Sequence, residues 1–87
     1  MYYVYLIQSQ KDFSTYIGHT EDLRKRFKEH NQGRTKSIKY KVLYKLIYYE
    51  AFLSKVDARK REIELKKKSF KKENLFIRLE NSFKVYR

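Results

Sequence analysis

The chain has 87 residues, the size of one small domain, with a formal net charge of +12 at pH 7 and 41% apolar residues. That apolar share is too high for a disordered chain, and the lack of cysteine excludes a disulfide scaffold, a thiolate metal site and a cysteine nucleophile. No apolar run approaches the roughly 20 residues of a membrane span, and MYYVYLIQSQKD lacks the basic n-region and cleavage site of a signal peptide, so a cytoplasmic protein is expected.

In chain order, YYVYLIQ (2–8) is an aromatic, β-branched run that predicts a buried strand. STYIG (14–18) predicts a second, and the intervening SQKDF suits an antiparallel hairpin with a longer loop. Thr20 is the predicted N-cap of a helix running to about Asn31, with Glu21 and Asp22 in its first turn and Gly33 as the stop. Residues 34–44, RTKSIKYKVLY, read mostly as loop, and KLIYYEAF (45–52) as a third strand. Ser54 and Asp57 open a helix over about 55–68. KKENLFIRLEN (71–81) reads as a last helix, with Leu75, Phe76 and Leu79 on its apolar side. The order β-β-α-β-α-α predicts a single α+β domain over residues 1–87, a small three-stranded antiparallel sheet flanked by helices.

The charge is uneven. Residues 1–34 carry a net +2 and residues 35–87 a net +10. Such an excess suits a nucleic-acid partner, because each neutralised phosphate releases a counterion. A lysine-rich solvated surface is the plainer alternative.

Several polar residues interrupt apolar patterns. Leu23, Arg26, Phe27 and His30 share one helix face. Arg26 there is either half of an Asp22–Arg26 surface pair or part of a site. Tyr3, Tyr5 and Ile7 share one side of the first strand, and Tyr16 and Gly18 one side of the second. A buried tyrosine hydroxyl must find a partner. Gly18 marks either a positive φ or a close approach of another group. Glu62 lies mid-helix on the row Ala58, Glu62, Leu65, with Arg59 and Lys66 in pairing range.

Taken together, YVY (3–5), YIG (16–18), Arg26 ten residues after Tyr16, His30 four later, Glu62 in DARKREIELKK and Asn74 twelve beyond it form one ordered set. On these residues the sequence resembles the GIY-YIG nuclease superfamily, in particular its small stand-alone bacterial members, over nearly the whole chain. The resemblance implies a DNA endonuclease of low specificity that uses one Mg²⁺ or Mn²⁺ ion, with a role in DNA repair or recombination. It implies Tyr5, Tyr16, Arg26, His30 and Glu62 as catalytic residues. Glu62 would hold the metal, and Arg26 the phosphate. Tyr5 and His30 jointly would be the base, with nearby cations lowering the tyrosine's pKa. Gly18, His19, Arg34, Lys36, Lys39 and Asn74 are expected to contact DNA, Gly18 by leaving room for the helix or the substrate.

Three positions depart from the family pattern. Tyr3 replaces the first glycine, His19 stands where some members carry a lysine, and Leu43 where the subgroup often has proline. A monomer is expected, with a dimer as the alternative, and neither a membrane nor a small-molecule cofactor. The rival reading is a non-catalytic nucleic-acid-binding module with a vestigial site, using Tyr40, Tyr44 and Tyr48 among the lysines to stack bases.

Overall fold

Strands β1 (Tyr2–Ser9), β2 (Thr15–Thr20) and β3 (Tyr44–Phe52) form one antiparallel sheet in the order β2-β1-β3. Helices α1 (Leu23–Asn31), α2 (Lys55–Lys66), α3 (Phe70–Arg78) and α4 (Glu80–Lys84) complete the fold. The computed structural model describes residues 1–33, 43–67 and 69–86. Arg34, Lys36 and Lys39 lie outside the described residues.

The central strand is buried on both faces, which is why its sequence is a continuous apolar run rather than an alternation. On one face, Tyr5, Ile7 and Tyr44 pack with Tyr16, Leu46 and the α1 side chains Leu23 and Phe27. On the other, Val4, Leu6 and Ile17 pack with Ala58 and Leu65 of α2, Leu75 of α3 and Leu79. The helices thus cover opposite sides of the sheet, and β2 is an edge strand between them.

The hairpin loop is closed by Ser9, whose N–H donates to Ser14 O at 2.9 Å and whose O accepts from Phe13 N at 2.9 Å. Phe13 takes a left-handed φ of 62° there. At the same end of the sheet Leu43, whose O accepts from Gln10 N at 3.0 Å, has φ 76°. Proline is locked near φ −65°, so the proline found in the subgroup cannot adopt the conformation that Leu43 holds here.

The α1 start differs from expectation. Thr20 stays in β2, paired with Tyr3, and its hydroxyl accepts from Asp22 N at 3.1 Å. Asp22 is the N-cap, accepting from Lys25 N at 3.1 Å, so no acidic residue lies in the first turn. A carboxylate caps better than a threonine hydroxyl, and the strand holds Thr20. The end is as expected: Gly33 follows with φ 71° and donates to His30 O at 3.1 Å, a left-handed helix stop. Ser54 caps α2 by accepting from Asp57 N at 3.3 Å.

The single last helix that the sequence predicts is two. Leu79 is buried, and its N–H reaches both Leu75 O (3.0 Å) and Phe76 O (3.2 Å). The tightened turn breaks the axis, and a short α4 follows.

One contact ties α1 to the far strand. Asn31 Nδ2 donates to Tyr44 O (3.2 Å), and Tyr44 N donates to Asn31 Oδ1 (2.6 Å). This pair fixes the end of α1 against the start of β3, across the segment 34–42. Asn31→Ala is expected to lower the unfolding free energy by about 1–2 kcal/mol, since both partners are backbone groups. Urea unfolding measures this, and an unchanged midpoint would show that the clamp contributes nothing.

Candidate active site at the sheet edge

The register pairs Tyr5 with Gly18 and Ile7 with Tyr16. Directly paired residues project to the same face, so Tyr5, Tyr16 and Gly18 lie under α1. A Cβ on Gly18 would collide with the Tyr5 hydroxyl and lie 2.7 Å from its Cζ and 3.1 Å from Tyr16 Cε1. The space that Gly18 leaves is therefore filled by the chain's own tyrosine, not by the helix or DNA.

Across that glycine the Tyr5 hydroxyl reaches His30 Nε2 at 2.7 Å. His30 is fully buried, and it is walled by tyrosines: ring centroids lie 5.1 Å away at Tyr16, 5.6 Å at Tyr5 and 6.2 Å at Tyr44. It sits inside the α1 face of the sheet instead of pointing past its edge. Arg26, one turn earlier, is only half-buried, and its charge bears on the Tyr5 phenol. Its ion-pair partner is Glu29 at 3.8 Å, where an Asp22 pair was one expectation.

The environment keeps both members of the Tyr5–His30 pair neutral. Burial pushes the Tyr5 phenol up to about 12, with Tyr16 and Glu62 adding to the rise and Arg26 opposing it. The expectation that cations lower this pKa fails because desolvation outweighs the one guanidinium. Burial and the Arg26 charge together push the His30 imidazole down to about 4, against a smaller pull from Glu29. Both groups are therefore neutral across the 2.7 Å bond, and in the Nδ1–H tautomer the phenol donates to Nε2.

Glu62 comes from the other face. Its side chain is 4% exposed. Oε1 accepts from His19 Nδ1 (2.8 Å) and from the Arg59 guanidinium, and Oε2 faces Lys66 Nζ at 3.0 Å. Burial alone would raise this carboxyl, but the hydrogen bonds and charge of Lys66, the Arg59 bond and the charge of His19 hold it below the usual carboxylate range. The Lys66 ammonium also lies 5.6 Å from the Tyr16 ring centroid. Through it the Glu62 group on one face meets the tyrosine group on the other, around the edge strand β2. His19, the residue after YIG, serves the carboxylate and makes no recorded hydrogen bond to Tyr5.

Tyr5, Tyr16, Arg26 and His30 thus gather with Gly18 on the α1 face, and Glu62 with His19 on the α2 face, the two groups linked by Lys66 at Tyr16. Asn74 is elsewhere. It is exposed on α3 and lines a depression with Arg61, Glu64, Lys71 and Arg78, beside the Glu50–Arg61–Glu64–Lys71 ion pairs. Sequence reasoning put Tyr44 in a loop as a base-stacking candidate and missed that it is buried in β3, where it closes the wall around His30. Spacing gives no signal for it, because it lies beyond the segment 34–42. It also missed a basic depression of about 350 Å³ next to Glu62, lined by His19, Lys55, Val56, Arg59 and Lys60.

Among the described residues no group of three or more His, Cys, Asp or Glu side chains converges to hold a metal. Glu62 does accept a cation at Oε2, where the Lys66 ammonium stands. One ionised carboxylate fits a largely hydrated divalent ion whose shell substrate phosphate oxygens complete, as Mg²⁺ sites commonly are built.

The model of the GIY-YIG catalytic domain matches residues 1–84. The chain belongs to the GIY-YIG family. This is a superfamily of nucleases, which implies a nucleic-acid substrate and, in general, use of a divalent metal. The chain is 43% identical over 68 residues to the UPF0213 protein YazA of Bacillus subtilis, covering 77% of this chain and 69% of that one. It is 39% identical over 66 residues to a UPF0213 protein of Staphylococcus saprophyticus, covering 75% and 79%. The solution NMR structure of a UPF0213 protein from Bacillus halodurans matches with a TM-score of 0.55 and 33% identity, over 91% of this chain and 85% of that one. Among the described residues no helix of this GIY-YIG domain is long and apolar enough to cross a membrane.

Two measurements probe this arrangement. Gly18→Ala forces the Tyr5 ring to retreat by about 1 Å to reach ordinary contact. It is expected to destabilise the fold by about 1–3 kcal/mol, and a wild-type unfolding curve would refute the close packing. The His30 imidazole titrates at 6.5 unfolded and near 4 folded. Between those values the unfolded chain binds more protons, so stability falls as pH drops through that window. The loss is up to about 3 kcal/mol. In urea unfolding at pH 7 and pH 4.5, His30→Gln is expected to show a smaller loss than wild type, and an equal loss would mean that the imidazole is not held neutral.

Proposed function

We propose that the protein is a metal-dependent DNA endonuclease of low sequence specificity. The observation that carries the reading is the joining, at one sheet edge, of a buried neutral Tyr5–His30 pair, a half-exposed arginine and a buried ionised glutamate.

Arg26 is suited to a phosphodiester, since its guanidinium matches phosphate oxygens in a bidentate fork. In the free protein its charge lies near the Tyr5 phenol, which is sealed from solvent. Turning to a phosphate, it would open the phenol to a water molecule. The water then gives its proton to the Tyr5 oxygen as Tyr5 gives its own to His30 Nε2. The new P–O bond forms and the bond to the leaving oxygen breaks, with the imidazolium holding the proton. A phenolate is out of reach at a pKa of about 12, so the relay to His30 does what Tyr5 cannot do alone. His30 is a weak base in the free protein partly because of the Arg26 charge. A phosphate neutralises that charge and raises the imidazole toward its ordinary value. Glu62 would hold the divalent ion, which when bound stabilises negative charge at the phosphate and leaving oxygen. The basic depression of His19, Lys55, Arg59 and Lys60 supports a neighbouring stretch of DNA backbone.

Wild-type protein is expected to nick supercoiled plasmid with Mg²⁺ or Mn²⁺ and to stop in EDTA. Glu62→Ala and Arg26→Ala are each expected to reduce the rate by roughly 10²–10³, and Tyr5→Phe by roughly 10²–10⁴. Equal nicking by wild type and Glu62→Ala would sink the proposal. The second reading, a nucleic-acid-binding module without catalysis, is favoured by the sealed phenol and by a carboxylate already paired with three basic side chains. Its mark is salt-sensitive DNA binding with no metal-dependent cleavage by the wild type.

A further inference from the structure

We propose that Lys66 is an internal stand-in for the divalent cation, holding Glu62 until the ion arrives and then passing to the substrate phosphate. The inference rests on the reading of Glu62 as the metal-holding residue.

The two oxygens of Glu62 are held differently. Oε1 is fixed by His19 and Arg59, and together they set the carboxylate's orientation. Among the described residues, the partner of Oε2 is Lys66, four positions along α2. Its ammonium is a point charge on a flexible four-carbon stem, so it releases an oxygen more readily than a forked guanidinium does. Lys66 is also 47% exposed, whereas the carboxylate is 4% exposed, so its stem has a way out that the glutamate lacks.

An ammonium and a divalent ion cannot share one oxygen at close range, since like charges there repel strongly. An ion that takes Oε2 therefore expels Lys66. The direction of its departure is already marked by the Tyr16 ring, whose centroid lies 5.6 Å from the ammonium. The face of an aromatic ring attracts a cation. Tyr16 borders the Tyr5–His30 pair, the place assigned above to the scissile phosphate. Lys66 moves from a carboxylate to a phosphate as the metal enters, so the site never carries an unpaired Glu62. The same exchange discourages metal binding in the absence of DNA.

The test compares wild type with Lys66→Met, Lys66→Gln and Lys66→Arg, all first checked for the wild-type fold by circular dichroism. Mn²⁺ binding to the DNA-free proteins is measured by calorimetry and by the loss of free-ion EPR signal at pH 7.5. Lys66→Met and Lys66→Gln are expected to bind Mn²⁺ about fivefold more tightly, the size of one lost half-exposed ion pair, and Lys66→Arg no more tightly than wild type, since a guanidinium releases the oxygen less readily. DNA affinity is then followed against salt, with Ca²⁺ in place of a catalytic metal and again with no divalent ion. With Ca²⁺, the slope of log K against log salt is expected to fall by about one for Lys66→Met. Without a divalent ion it is expected to match wild type. Mn²⁺ affinity in Lys66→Met equal to or weaker than wild type would overturn the proposal, and so would a salt slope that does not depend on the ion. None of these readings uses cleavage. A protein that passes them without nicking plasmid keeps the Lys66 exchange and loses the nuclease reading.

Discussion

The hydrogen bond from Tyr5 to His30 is the contact around which the site is built. It is possible only because Gly18 has no side chain, and because β1 and β2 pair in the register that sets Gly18 opposite Tyr5. A slip of one residue would turn Tyr16 and Gly18 to the far face. Helix α1 must then arrive at a fixed height, with His30 opposite the phenol. The Asp22 cap sets where the helix starts, and the Asn31–Tyr44 clamp sets where it ends. Strand register, one glycine and two polar contacts at the helix ends thus fix a single 2.7 Å distance.

The two faces of the sheet treat charge in opposite ways. Under α1 the titratable pair is kept neutral by burial among tyrosines. Under α2 a carboxylate nearly as deeply buried stays ionised, because three basic side chains compensate its desolvation. Lys66 and Tyr16 meet at the β2 edge where these environments join. A neutral phenol–imidazole pair and a fixed negative charge can stand so close only because different elements bury them. Glu62 adds to the rise of the Tyr5 phenol, so the two groups feel each other across the sheet.

Much of this was legible in the sequence. The buried strand at residues 2–8, the hairpin and the chain order of three strands and helices follow from apolar runs and turn residues. The face that carries Leu23, Arg26, Phe27 and His30 follows from helical spacing. Arg59 and Lys66 were identifiable as partners of Glu62 from their i−3 and i+4 positions. What failed depends on three-dimensional burial. The phenol's pKa rises instead of falling, because desolvation by residues from three elements cannot be read from neighbours in the chain. His30 is enclosed by Tyr44, which comes from another strand. Thr20 was misassigned as the cap because strand β2 runs two residues beyond the YIG triplet. Asn74 fits the family spacing, yet α3 carries it to a different depression.

Charge balance adds one constraint on the order of events in the proposed reaction. Among the described residues, Arg26, Arg59 and Lys66 face Glu29 and Glu62 as ion-pair partners around the edge strand. Adding a divalent ion to that set increases an excess of positive charge within a few ångströms. Adding a phosphodiester reduces it, and leaves oxygens free to ligate an ion. Entry of the nucleic acid therefore lowers the free energy of metal binding, and by linkage the metal tightens the hold on the nucleic acid by the same factor. In the proposed reaction, a site with one carboxylate and several cations would therefore assemble its metal on the substrate, not ahead of it. That is the arrangement expected of a small basic nuclease whose metal acts only where a phosphate is already bound.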